Sequence, residues 1–283
     1  MSKSGVGLVR PFVHDQHDVL AVCGESVYSL HAESVDDSLL PPVSANTMDT
    51  HSILGTGIFT VPEAARLLQV SDTKIRGWIE GYRSAGVGPL IEAQLGKHGR
   101  TAALTFTNLM EARFIDAFVQ LGVHVRTIRA ILEEARNFVR HPHPFATDTV
   151  FKTDGQKIFA EVETKTGDKH LYDLKRRNWA IREVLGPLLK GEVSYNESGM
   201  AQIWQPRPNR SPNVILDPRF AFGRPIVRGA VVPTSTILDA FVAEGDIPID
   251  RAYENVASWY QVPIESVREA IDFEFSLRPK KAA

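Results

Sequence analysis

Apolar residues recur every three or four positions in several separate stretches of this chain, and the polar residues between them mark where each stretch starts and stops. The clearest stretch covers residues 59–82, FTVPEAARLLQVSDTKIRGWIEGY. Ala64, Ala65, Leu67 and Leu68 give one helical apolar face; Ile75, Trp78 and Ile79 give a second. Thr60 followed three residues later by Glu63 spells a capping box, and Pro62 falls in the first turn, where its missing N–H is not needed. Gln69-Val70 makes a tight turn. Ser71 caps the second helix, with Asp72 at the positive end of its dipole. Thr73, Lys74, Arg76, Gly77 and Arg83 are left on or near the outer surface. A short capped helix with small and basic residues outward has the shape and charge to enter a DNA major groove.

The pattern then changes period. The stretch GVGPLIEAQLGKHGRTAALTF alternates apolar and polar positions between glycines, which predicts a β-wing with Lys97, His98 and Arg100 near its tip. A helix capped by Thr107 or Asn108 follows, carrying Leu109, Phe114, Phe118 and Leu121, and Gly122 ends it. A second helix covers residues 125–139 with Ile128, Ile131, Leu132 and Ala135 inward. His141-Pro142-His143-Pro144 closes this first domain, residues 55–146. Its two histidines lack a Cys or acidic cluster beside them, so they read as a linker rather than a metal site.

Residues 147–205 read as a small α+β unit. It comprises a strand over residues 157–162, a helix containing Trp179 and Leu185, and a hairpin of residues 192–195 with residues 200–204. The basic run Lys175-Arg176-Arg177 reads as a solvated face. Residues 206–212 are a Pro/Arg/Asn linker. Residues 213–283 open with a glycine-flanked extended run, then predict three helices. Ser235 or Thr236 caps the first, Pro248 opens the second and Pro263 the third, and Gln261-Val262 forms the last turn. Residues 1–54 have no sustained period beyond two short strands near residues 19–22 and 27–30, and read as a loosely structured tail. Met48 lies just ahead of the first organised segment and is a candidate start of translation.

Composition adds boundaries. The 283 residues are 43% apolar and carry a net charge of −2. That charge is uneven: residues 1–56 hold 2 basic and 7 acidic residues, a net of −5, while residues 57–140 hold 11 and 8, a net of +3. Positive charge lies where phosphate contacts would help. A single cysteine, Cys23, excludes an internal disulfide framework and fits a reducing compartment. With neither a signal peptide nor an apolar run long enough to span a membrane, a cytoplasmic protein is expected. No catalytic constellation, metal-ligand set or cofactor motif is recognisable: there is no GxSxG, phosphate-cradling glycine loop or HExxH.

Two segments resemble known families. TVPEAARLLQVSDTKIRGWI, Arg100 after the wing, and LTFTNLMEARFIDAFVQLGVHVRTIRAIL together resemble the MerR-like winged helix-turn-helix. That resemblance implies DNA contacts from Thr73, Lys74, Arg76, Arg83, Lys97 and Arg100. The wing is longer than in that family and lacks its common Arg-x-Tyr. DPRFAFGRPIVRGAVVPTSTILDAF, with the closing helix pair, resembles the DUF433 family. The combined layout resembles the longer VapB-type antitoxins. This implies a homodimer that binds operator DNA and neutralises a PIN-domain ribonuclease toxin, whose acidic metal site an arginine would plug. Arg224, Arg228 and Arg278 are the candidates, with Arg228 alternatively paired to Asp217. A MerR-type regulator answering a small molecule is the other reading. The fold class expected is mainly α with small β elements (α+β): a winged helix-turn-helix, a small α+β middle unit and a C-terminal three-helix domain.

Overall fold

A computed structural model describes residues 21–23, 26–28, 55–82, 88–95, 97–98, 101–149, 162, 165–167 and 192–278. The chain forms two compact units, Met1–Thr47 and Met48–Ala283. In the first, β1 (Ala21–Cys23) pairs antiparallel with β2 (Ser26–Tyr28), close to the two strands expected. The middle-unit strand over residues 157–162, the helix around Trp179 and the run Lys175-Arg176-Arg177 lie outside the described residues, apart from Val162.

The second unit is a mixed α+β fold in which helices predominate. It opens with β3 (Phe59–Thr60), α1 (Val61–Leu68) and α2 (Asp72–Glu80). The capping box forms as read. Thr60 Oγ1 accepts from the Glu63 N–H at 3.3 Å, and Glu63 Oε2 accepts from the Thr60 N–H at 2.8 Å. Gln69 at φ 58° makes the turn, and Ser71 Oγ accepts from the Lys74 N–H at 3.4 Å. Ile75, Trp78 and Ile79 are buried, so the helical period gave the inner face correctly.

A three-stranded sheet follows in the order β3-β5-β4, with β4 (Lys97–His98) and β5 (Thr101–Leu104) forming a hairpin. Two helices, α3 (Phe106–Gln120) and α4 (Val125–Val139), pack behind it. The cap of α3 differs from expectation. Thr105, not Thr107 or Asn108, is the N-cap: its Oγ1 accepts from the Asn108 N–H at 3.1 Å, and Asn108 reaches back to the Thr105 N–H at 3.3 Å. Asn108 thus fills the place that Glu or Gln takes in the usual box. The His-Pro-His-Pro segment also departs from a linker. Phe145 is buried, stacked on Phe114 at 5.4 Å and tilted against Phe118 at 5.8 Å. His143 bonds the buried Glu111 at 3.0 Å and Gln94 at 2.7 Å, so both its ring nitrogens are taken up structurally.

A five-stranded antiparallel sheet, ordered β10-β9-β8-β7-β6, carries the chain onward. Its members are β6 (Val193–Tyr195), β7 (Ala201–Trp204), β8 (Val214–Leu216), β9 (Pro225–Val227) and β10 (Val232–Pro233). Residues 206–212 connect neighbouring strands of this sheet, since Trp204 pairs with Leu216. Three helices close the fold: α5 (Thr234–Ala243), α6 (Ile249–Tyr260) and α7 (Ile264–Leu277). Helix α5 begins at Thr234 with Pro233 as its N-cap, so neither Ser235 nor Thr236 caps it, and it lacks a side-chain cap. The Thr234 hydroxyl instead donates to Glu274 of α7 at 2.5 Å, which holds the first helix to the last. Gln261 (φ 53°) repeats the left-handed turn of Gln69.

The α3 helix is tied to the sheet by an ion pair between the buried Arg113 and the half-buried Glu192, and the Arg113 guanidinium lies 5.4 Å from the Trp204 ring centroid. Burial pulls the Arg113 guanidinium below its ordinary range and pushes the Glu192 carboxyl above its own, each offset in part by the other's charge.

Candidate nucleic-acid and partner-binding surfaces

The outward side of α2 carries Thr73, Lys74 and Arg76, all exposed. They share that side because Ile75 and Trp78–Ile79 turn the opposite one into the core. Lys74 is partly committed: its ammonium lies 3.7 Å from the buried carboxylate of Asp116 on α3. Among the described residues, no hydrogen bond or ion pair holds Arg76, which leaves its guanidinium to solvent. Gly77 is a correction. It is buried rather than outward, because the Tyr82 ring covers it so closely that a Cβ there would collide with the ring. Lys97 lies in β4 of the β4–β5 hairpin. Arg83 and Arg100 lie outside the described residues.

The arginines considered for a protein partner fall at three places. Arg224 follows the turn Ala221–Gly223 and comes within 4.0 Å of Glu63, the residue that closes the α1 capping box. Arg228 is exposed just after β9, and it does not pair with Asp217. Asp217 is instead held by Arg219 in a two-point grip at 2.9 and 2.6 Å, which raises the Arg219 guanidinium above its ordinary range. Two residues of separation let Arg219 fold straight back, whereas Arg228 lies a strand away. Arg278 caps the end of α7 with its guanidinium 4.4 Å from the Phe275 ring centroid.

Sequence reasoning missed the backbone beside Arg224. Ala221 and Phe222 adopt left-handed φ of 47° and 55°, followed by Gly223 at 83°. Left-handed geometry costs roughly 1–2 kcal/mol at each non-glycine residue. The turn is held in place by the Ile58 N–H, which donates to the Phe222 carbonyl at 2.9 Å. Gly223 packs so closely on Gly57 and Phe59 that a Cβ would meet the Phe59 ring at 2.9 Å. The consequence is display: Phe220 is 41% exposed and Phe222 59%. The signal in the sequence was the pair of aromatics flanking Ala221 in a loop bounded by Pro218 and Gly223.

Two cavities flank α1. One, of about 500 Å³, is lined by Leu67, Gln69, Arg113, Asp116, Trp204 and Arg207 among others. Burial and the nearby Arg210 hold the Arg207 guanidinium below its ordinary range. The other, of about 250 Å³, lies between Glu63, Arg66, Arg224 and Glu274. Among the described residues, no group of three or more His, Cys, Asp and Glu side chains could hold a metal ion. No described helix is long and apolar enough to cross a membrane.

The chain is similar to a Mycobacterium tuberculosis protein named as a candidate antitoxin, VapB45: 26% identity over 230 residues, 76% of this chain and 92% of that one. It is also similar to the crystal structure of Rv2018 from Mycobacterium tuberculosis, with a TM-score of 0.59 and 25% identity, covering 76% of this chain and 97% of that one. No family model matches the chain.

Proposed function

We propose that this chain is the antitoxin of a type II toxin–antitoxin pair, which neutralises a PIN-domain ribonuclease and, as a homodimer, binds operator DNA to repress its own operon. The observation that carries the reading is the similarity to VapB45 across nearly the whole of that protein. The DNA-binding half rests on α2, a short helix capped by Ser71 with Thr73, Lys74 and Arg76 facing out and a hairpin wing beyond it. The closing pair α6–α7 has the same turn but is more acidic: it holds six acidic and two basic residues where α1–α2 holds three of each, with Glu265 and Asp272 exposed on α7 and Arg268 paired with Asp250. Phosphates would be repelled there, so the front pair is the DNA reader. Arg224, Arg228 and Arg278 are the proposed toxin contacts, an arginine entering the acidic metal site of the nuclease.

Arg76→Ala is expected to weaken binding to the promoter of its own gene and to lower the slope of log affinity against log salt by about 1. Toxin neutralisation should survive. An unchanged slope removes Arg76 from the footprint, and a wild-type protein that ignores that promoter removes the repressor half of the proposal. The 500 Å³ cavity favours a second reading, a regulator answering a small molecule, because its Asp116 also touches Lys74 of α2. A ribonuclease gene abutting this one favours the antitoxin; an efflux or detoxification gene favours the regulator.

A further inference from the structure

The segment from Pro218 to Pro233 holds three arginines and no acidic residue. It also holds Phe220 and Phe222, which are 41% and 59% exposed on a backbone bent into the left-handed region to present them. Strain of this kind persists only where the surrounding structure over-determines it. Here the Ile58 N–H, the close seat of Gly223 on Phe59 and the Asp217–Arg219 grip supply that determination. A loop that only connected β8 to β9 would not need two aromatic rings in water.

We propose that residues 218–223 form a preorganised protein-docking knuckle. Phe222, with Phe220 two residues before it, enters an apolar recess on the partner, and carboxylates on the rim of that recess meet Arg224 and Arg228. Aromatic anchors ringed by arginine are the composition of interface hot spots. A loop already fixed in its bound shape loses little entropy on docking. A second copy of this chain is a poor occupant, because a two-fold contact would set these arginines against their own equivalents. An anionic membrane surface would suit the charges but has no use for a fixed, strained loop. The occupant is therefore a different protein with an acidic-rimmed apolar recess. This rests on the antitoxin reading, in which that protein is the toxin, and adds that its grip comes from aromatic anchors outside the nuclease metal site.

The test titrates the purified full chain with the purified product of the reading frame adjacent to its gene. Phe222→Ala should weaken binding about thirtyfold. Circular dichroism, thermal midpoint and promoter binding should stay unchanged, since the ring is mostly in solvent. Trp259→Ala, which removes an aromatic ring 60% exposed on α6, should leave binding intact. If the wild type binds and Phe222→Ala binds equally well, the knuckle is wrong and the antitoxin reading stands. Loss with Trp259→Ala and not with Phe222→Ala moves the docking site to α6 and also overturns the proposal. Should Phe222→Ala reduce only the binding of phosphatidylserine vesicles, the loop is a lipid contact and the protein-docking assignment falls. Failure of the wild type to bind the neighbouring product removes the antitoxin reading and this inference with it.

Discussion

Val231 holds a φ of 59° in the turn between β9 and β10, where its N–H donates to the Val227 carbonyl at 3.1 Å. A β-branched side chain is a poor tenant of left-handed backbone, and this one is 38% exposed, so little burial compensates it. Val231→Gly relieves that conflict at the cost of a more flexible unfolded chain. The expected net result is a gain of about 0.5–1 kcal/mol in stability, read from urea midpoints. At this scale the sequence spoke clearly where a residue's role depends on near neighbours. Thr60, Glu63 and Ser71 were legible as caps because capping is complete within four residues. Gly77 was misread because what covers it, the Tyr82 ring, arrives from beyond the helix end.

Among the elements, α1 depends on a capping box in which Thr60 and Glu63 share three hydrogen bonds, and Glu63 also lies 4.0 Å from Arg224. Thr60→Ala should lower stability by about 1 kcal/mol in chemical denaturation. The junction of α3 with β6 answers to charge and pH. Glu192→Ala leaves Arg113 buried without its carboxylate, and a loss of about 3 kcal/mol is expected. Tyr195 of β6 sits beside this pair, and burial pushes its phenol from the ordinary 10.0 up to about 12. The folded state therefore keeps that proton after the unfolded state has lost it. Stability must fall as pH rises through that window, from 10 to 12. Tyr195→Phe should flatten the fall in urea unfolding measured across it. Helix identity was legible here from the 3.6-residue period. The ion pair was not, because Arg113 and Glu192 are 79 residues apart and neither carries a sign of the other.

For the whole molecule, the division into Met1–Thr47 and Met48–Ala283 predicts that a chain starting at Met48 keeps its fold. Its thermal midpoint and promoter affinity should match those of the full chain, and a drop in either would show the first unit to be part of the working structure. The outer strands of the five-stranded sheet come from β6 and β10, which brackets the segment first read as a linker.

The α3 cap and the Ala221–Gly223 turn excepted, what the sequence determined by itself was most of the features closed over short range. These are the capped helices, the left-handed Gln-Val turns, the wing hairpin and the mainly helical α+β class, because backbone periodicity and capping need only neighbouring residues. What the tertiary structure alone decided was which groups meet across long separations. Phe222 is held in the open by Ile58, Lys74 is drawn toward Asp116, and Asp217 is taken by Arg219 rather than Arg228. Those pairings follow from how sheets and helices pack, and packing energy is spread over the whole core and written in no single stretch of it.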